Sequence, residues 1–137
     1  MLVDTNILVY AINEDSSKNK QAKKFLKDNQ GKLTVAHQNI IETIKVLTQS
    51  KFSKPLKPKL AIEAVLAIIG NCQIIAPKIG TEFIALELVK KSNLSGNRIF
   101  DAYLTATALS NSIDTIATDN VKDFKKFKEI KVINPFI

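Results

Sequence analysis

Along this chain, short apolar runs alternate with longer stretches in which apolar residues recur every three or four positions. The short runs predict strands over Leu2–Asp4, Leu33–Ala36, Gln73–Ala76, Thr115–Thr118 and Lys131–Ile133. The periodic stretches predict helices over Asn6–Ile12, Lys18–Asp28, Gln38–Gln49, Pro58–Gly70, Thr81–Lys91, Arg98–Ser110 and Val121–Phe127. No hairpin turn signal joins two strands, so each connection is a crossover through a helix and the strands run parallel. The expected architecture is α/β, an α/β/α sandwich around a central, mostly parallel sheet. Gly31 reads as the stop after the second helix. Pro55 and Pro58 bracket a basic linker, and Ser95-Gly96 breaks the chain before Arg98. With no repeat and no compositional shift, the 137 residues read as a single domain.

This pattern gives four acidic residues a shared destination. In open parallel sheets, ligands bind beyond the carboxyl ends of the strands. Asp4 and Asp119 both end a predicted strand and directly precede a helix. Each also suits a helix N-cap, although Asn6 and Asn120 are available for that role. Asp101 lies in a helix whose apolar residues (Ile99, Phe100, Ala102, Tyr103, Leu104) leave no broad polar face, so the helix is expected to be buried. A carboxylate there requires a partner, either Arg98 one turn earlier or a metal. Glu42 shares a polar stripe with Gln38, Lys45 and Gln49, opposite Ile40, Ile41, Ile44 and Leu47. That stripe fits a solvated face and an aqueous cleft equally. Asp123, four residues after Asp119, reads as a fifth ligand, an outer group or a surface charge.

Crowded carboxylates repel one another and persist when a cation sits between them. An all-oxygen set favours a hard cation, Mg²⁺ or Mn²⁺, over Zn²⁺. The chemistry such a site performs is metal-assisted phosphodiester cleavage.

Composition narrows the alternatives. His37 and Cys72 are the only histidine and cysteine, which excludes an internal disulfide and the Cys/His zinc patterns. His37 reads as structural and Cys72 as a core residue. The single cysteine fits a reducing cytosol. Met1 leads into an apolar run without a basic region or cleavage site, and the longest apolar stretches, such as Ala64 to Ile69, are too short to span a bilayer. A cytoplasmic protein with no membrane partner is expected. The net charge of +7 comes almost wholly from lysine, since Arg98 is the only arginine. Such a balance favours polyanions, and equally follows from a lysine-rich composition with no such partner.

Four short motifs now stand in order. Val3-Asp4-Thr5-Asn6 resembles the opening of a PIN domain, and Gln38 through Glu42 its second acidic motif. Gly96-Asn97-Arg98-Ile99-Phe100-Asp101-Ala102 resembles the third motif, and Ala117-Thr118-Asp119-Asn120 the fourth, with Asp123-Phe124 resembling a common extension. Ala36-His37 departs from the Ser or Pro usual before the second motif. The resemblance implies a metal-dependent endoribonuclease with Asp4, Glu42, Asp101 and Asp119 as its acidic set. Asp4, Asp101 and Asp119 would hold Mg²⁺ or Mn²⁺, completed by Glu42 and with Asp123 as a further ligand. A small chain of this kind looks most like a VapC-type toxin. That implies an RNA substrate, a protein antitoxin and a homodimer. Two other readings compete: a non-catalytic RNA-binding or regulatory domain of the same fold, and a phosphatase of the haloacid-dehalogenase type with Asp4 as nucleophile. The phosphatase motif wants an aspartate where this chain has Asn6.

Overall fold

A computed structural model describes every residue, Met1–Ile137. The elements run β1 (Leu2–Val3), α1 (Thr5–Ile12), α2 (Asn19–Asp28), β2 (Thr34–Ala36), α3 (His37–Thr48) and α4 (Pro58–Ile68), followed by β3 (Gln73–Ile75), α5 (Thr81–Ser92), α6 (Arg98–Ser110), β4 (Thr115–Ala117), α7 (Val121–Phe124) and β5 (Lys131–Ile133). The five strands form one sheet in the order β3-β2-β1-β4-β5, and every pairing is parallel. All five predicted strands and all seven predicted helices are present.

Side chains alternate across each strand, and that alternation builds two cores. Leu2, Ala36 and Ile116 face α5, α6 and α7, where they pack with Ala102, Leu104, Phe124 and Phe127. Val3, Val35 and Ala117 face the other way and pack with Ile7, Leu8, Ala22, Leu47 and Val65 from α1 to α4. Burial on both faces is why the strands read as unbroken apolar runs.

Chain order places the crevice. From β1 the chain steps outward to β2 and β3, crosses back to β4, and continues outward to β5. The direction therefore reverses between β1 and β4, the position at which open α/β sheets bind ligands. Leu2 pairs with Ile116 and Val3 with Ala117, so the two strands end level. The Asp4 amide still donates to the Ala117 carbonyl (2.9 Å), and α1 starts at the next residue.

Boundaries differ from expectation in a few places. Helix α2 ends at Asp28 with Asn29 as its cap, and Gly31 (φ 82°) sits in the turn beyond it. Helix α7 stops at Phe124, and the chain turns so that Phe127 is also buried. Cys72 lies in the turn before β3, partly buried against the second core. Helix α6 is not buried throughout: in its first turn Phe100 is 59% exposed and Ile99 43%. Its 13 residues span about 20 Å, whereas three-residue strands cover about 10 Å. The sheet is too short to cover the whole helix. Ile41, which the periodicity of α3 assigned to the core side, is likewise 66% exposed.

Candidate metal centre

Asp4 is the deepest of the acidic residues, 6% exposed at the end of β1. It caps α1, accepting from the Thr5 amide through Oδ1 (2.8 Å). Its Oδ2 accepts from the Thr118 hydroxyl (2.7 Å) and from Asn6 Nδ2 (3.3 Å). Capping and site membership are therefore not alternatives here, because one oxygen caps and the other faces the neighbouring strand end. Burial is the main reason the Asp4 carboxyl is pushed up to about 6. The Thr118 and Thr5 hydrogen bonds oppose the shift, and the charges of Glu42 and Asp101 add to it.

Glu42 reaches the same crevice from α3. Its Oε2 accepts from the Thr5 hydroxyl (3.0 Å) and its Oε1 from Gln38 Nε2 (2.9 Å). Gln38 Nε2 also donates to the Phe100 carbonyl (3.2 Å), tying α3 to α6. Asn39, wholly buried, accepts from the Ala36 amide (3.0 Å) and donates to Thr5 Oγ1 (3.4 Å). It thus supplies half of a capping box from within the helix, in place of the cap that Ala36 cannot provide.

Asp101 projects from the first turn of α6, half-buried. Burial chiefly raises its carboxyl above the usual range, with Arg98 pulling it down, Glu42 pushing it up and Lys126 pulling it down. The Arg98 pair, one of the two partners open to Asp101, is present but long, at 4.0 Å, because the guanidinium also lies against Asp123. Asp123 is thereby an anchor for Arg98, tying α6 to α7 at the edge of the crevice.

Asp4, Glu42 and Asp101 line one cleft of about 270 Å³ together with Thr5, Asn6, Tyr10 and Asn120. A wider groove of about 800 Å³ shares Thr5, Glu42 and Asp101 with it and adds His37, Gln38, Lys45 and Phe100. Gln38 Oε1 is buried there without a hydrogen-bond partner.

Asp119 is the exception. Its carboxylate turns to Lys18 and Tyr10, accepting from the Tyr10 hydroxyl (2.9 Å) and the Lys18 ammonium on Oδ2, with Asn134 Nδ2 3.5 Å from Oδ1. The Lys18 bond is the main reason its carboxyl lies below the usual range. Burial opposes the shift, and the Tyr10 bond adds to it.

The donor set fits a hard divalent cation: it is all oxygen, and the charges of Glu42 and Asp101 both count against ionisation of Asp4. No three His, Cys, Asp or Glu side chains are gathered tightly enough to enclose an ion in this structure.

Two residues of this network, Thr118 and Lys18, carried no readable signal in the sequence, and a third, Asn39, only a slight one. Thr118 meets Asp4 across 114 positions, Lys18 meets Asp119 across 101, and Asn39 meets Thr5 across 34. An asparagine at the third position of a helix that lacks a capping side chain was the one available hint.

Comparison with known proteins places this geometry. The chain is 28% identical over 144 aligned positions to ribonuclease VapC24 of Mycobacterium tuberculosis, covering 97% of this chain and 94% of that protein. Among solved structures it superposes on VapBC2 from Rickettsia felis, bound to a DNA fragment from its promoter, with a TM-score of 0.72 and 22% identity. That match covers 97% of this chain and 96% of the other. A toxin–antitoxin complex from Klebsiella pneumoniae gives a TM-score of 0.71 at 21% identity, covering 98% and 97% of the two chains. The PIN domain model matches residues 1–130. With its level strand ends and its acidic crevice at the point where strand order reverses, the chain belongs to the PIN domain family.

Proposed function

We propose that this chain is a metal-dependent endoribonuclease, one nuclease domain throughout, and the toxin of a toxin–antitoxin pair. The observation that carries the reading is the meeting of Asp4, Glu42 and Asp101 on one cleft at the reversal of strand order. Similarity to a ribonuclease by name, and to the toxin–antitoxin complex, supports the substrate and the partner.

Asp4, Asp101, Asp119 and Glu42 would hold Mg²⁺ or Mn²⁺, with Asp123 acting through Arg98. A divalent ion there supplies Lewis acidity, acidifying water and offsetting the charge that builds on the phosphate. The chain's own groups do the positioning. Thr118 and Asn6 fix the Asp4 oxygen that faces β4, and Thr5 and Gln38 fix both oxygens of Glu42. Lys45 borders the groove and is placed to meet the RNA backbone, while the exposed Phe100 ring offers a stacking surface for an unpaired base. Asn6 bridges Asp4 and Thr118 as a strut, which leaves no second acid for a phosphatase of the haloacid-dehalogenase type. Exposed Ile79, Phe83 and Leu86 supply apolar surface for an antitoxin or a second copy of the chain. No helix is long and apolar enough to cross a membrane.

Cleavage of single-stranded RNA tests the proposal. Activity is expected with Mg²⁺ or Mn²⁺, is lost in EDTA, and is lost in Asp101→Asn. Undiminished cleavage in excess chelator would sink the metal mechanism. RNA binding without cleavage under every metal condition would favour the non-catalytic reading.

A further inference from the structure

Asp119 has a partner that the proposed chemistry leaves unexplained. Lys18 lies just before α2, and its ammonium meets Asp119 Oδ2, the oxygen that also accepts the Tyr10 hydroxyl. The ammonium sits 5.2 Å from the centroid of the Tyr10 ring and 5.3 Å from that of Phe136. The two rings meet edge to face, 5.4 Å apart. An ammonium in such a corner is held by the ring faces as well as by the carboxylate.

We propose that Lys18 is a resident counter-cation that competes with the divalent metal for Asp119. The inference rests on the metal-dependent reading above and adds the residue that limits how tightly the metal is held. Asp4 and Glu42 have only neutral donors against them, and the one cation near Asp101 is the Arg98 guanidinium, 4.0 Å away and drawn to Asp123, so a divalent ion meets no close rival there. At Asp119 the position is taken. An ion that recruits this carboxylate either displaces Lys18 from the aromatic corner or shares an anion with it, and two cations on one carboxylate repel. The clasp also spares the metal-free chain one more carboxylate without a close counter-charge at the crevice. Lys18 thus favours the empty site and weakens the filled one.

Calorimetric titration of the full chain with Mn²⁺, with the electron paramagnetic resonance signal of free Mn²⁺ as a second readout, tests this directly. Lys18→Met keeps a long aliphatic side chain against the rings and removes the charge. It is expected to bind Mn²⁺ about tenfold more tightly at low salt, the size of a screened repulsion between a single and a double charge near contact. The gain should shrink as salt rises. Lys18→Arg should bind like the wild type. Phe136→Leu removes one ring while keeping Lys18, so it remains informative if Lys18→Met fails to fold. It should tighten binding roughly two- to fivefold, as expected for one exposed cation–π contact. Equal or weaker Mn²⁺ binding by Lys18→Met, or by Phe136→Leu where Lys18→Met does not fold, overturns the competition. Binding by wild type without that gain overturns only this inference. No Mn²⁺ binding by any of the proteins overturns the metal reading and the inference together.

Discussion

Asp4 and Asp119 occupy equivalent places, each just beyond one of two adjacent parallel strands whose ends are level. Their chemistry is opposite. Asp4 is buried and held by two hydroxyl and amide side chains and a backbone amide, all neutral, and its carboxyl is pushed up to about 6. Asp119 is more open and held by an ammonium, and its carboxyl is pulled below the usual range. Neutral donors can satisfy a buried carboxylate's hydrogen bonds without cancelling its charge, whereas a lysine does both. One end of the crevice therefore has an electrostatic need for a cation, and the other already has one.

The largest expected effect comes from removing the charge that wants a cation. Asp4→Asn should lower RNA cleavage by more than about 100-fold, since changing a group one layer outside a metal site already costs up to that much. Near-normal turnover in a single-turnover assay would show that Asp4 is a cap and nothing more. Asp119→Asn should reduce cleavage less, because Lys18 keeps that carboxylate from full use in the wild type.

The stability of the two ends should depend on pH with opposite sign. The pKa of Asp4 rises on folding from 3.8 to about 6. The folded state therefore binds the proton more tightly, and this contribution is complete below pH 3.8 and lost as pH rises through about 6. The full swing is roughly 3 kcal/mol as an upper bound. Asp119 has its pKa lowered, so its contribution is present above the ordinary carboxylate value and is lost as pH falls through the depressed one. Urea unfolding of the chelated protein between pH 3 and 7 should show Asp4→Asn flattening the decline between pH 4 and 6. Asp119→Asn should lose stability mainly above pH 4. Matching pH profiles for the two variants would erase the distinction between the ends.

The smallest effects sharpen which partners matter. Thr118→Val removes a hydroxyl that donates to a buried carboxylate and should cost about 1–3 kcal/mol. It should also raise the Asp4 carboxyl further, which carboxyl-carbon NMR titration reads directly. Tyr10→Phe removes one of several bonds to a partly exposed carboxylate and should cost less than about 1 kcal/mol. A larger loss for Tyr10→Phe than for Thr118→Val would reverse the assignment of the buried end.

Much of this molecule was legible in its sequence for a local reason. Apolar runs such as Thr115–Ala117 and periodic stretches such as Arg98–Ser110 report the face that a segment buries. Parallel strands joined by helices then place Asp4 and Asp119 at one edge without any coordinates. Helical phase left Glu42 open between a solvated face and a cleft, and left Asp101 open between Arg98 and a metal; only the resemblance of their motifs put both in the acidic set. Misplaced residues share a different cause. Phase assigned Ile41 to a core-facing side, and the even spread of apolar residues around α6 placed Phe100 in a buried helix. Neither reveals whether a neighbouring element reaches far enough to cover the residue. Proximity offered Asp101 as one partner for Arg98, and that pair is present but long, at 4.0 Å, because the guanidinium also meets Asp123 on a different helix.

The sequence by itself determined the order of strands and helices, the parallel sheet and the identity of the acids at its edge, because each follows from short-range periodicity and from where strands end. Only the tertiary structure decided which of those acids has a counter-charge. Thr118 reaches Asp4 across 114 residues and Lys18 reaches Asp119 across 101. Electrostatic partnership is set by distance through space, which local pattern does not encode, so two aspartates alike in sequence context became unlike in charge.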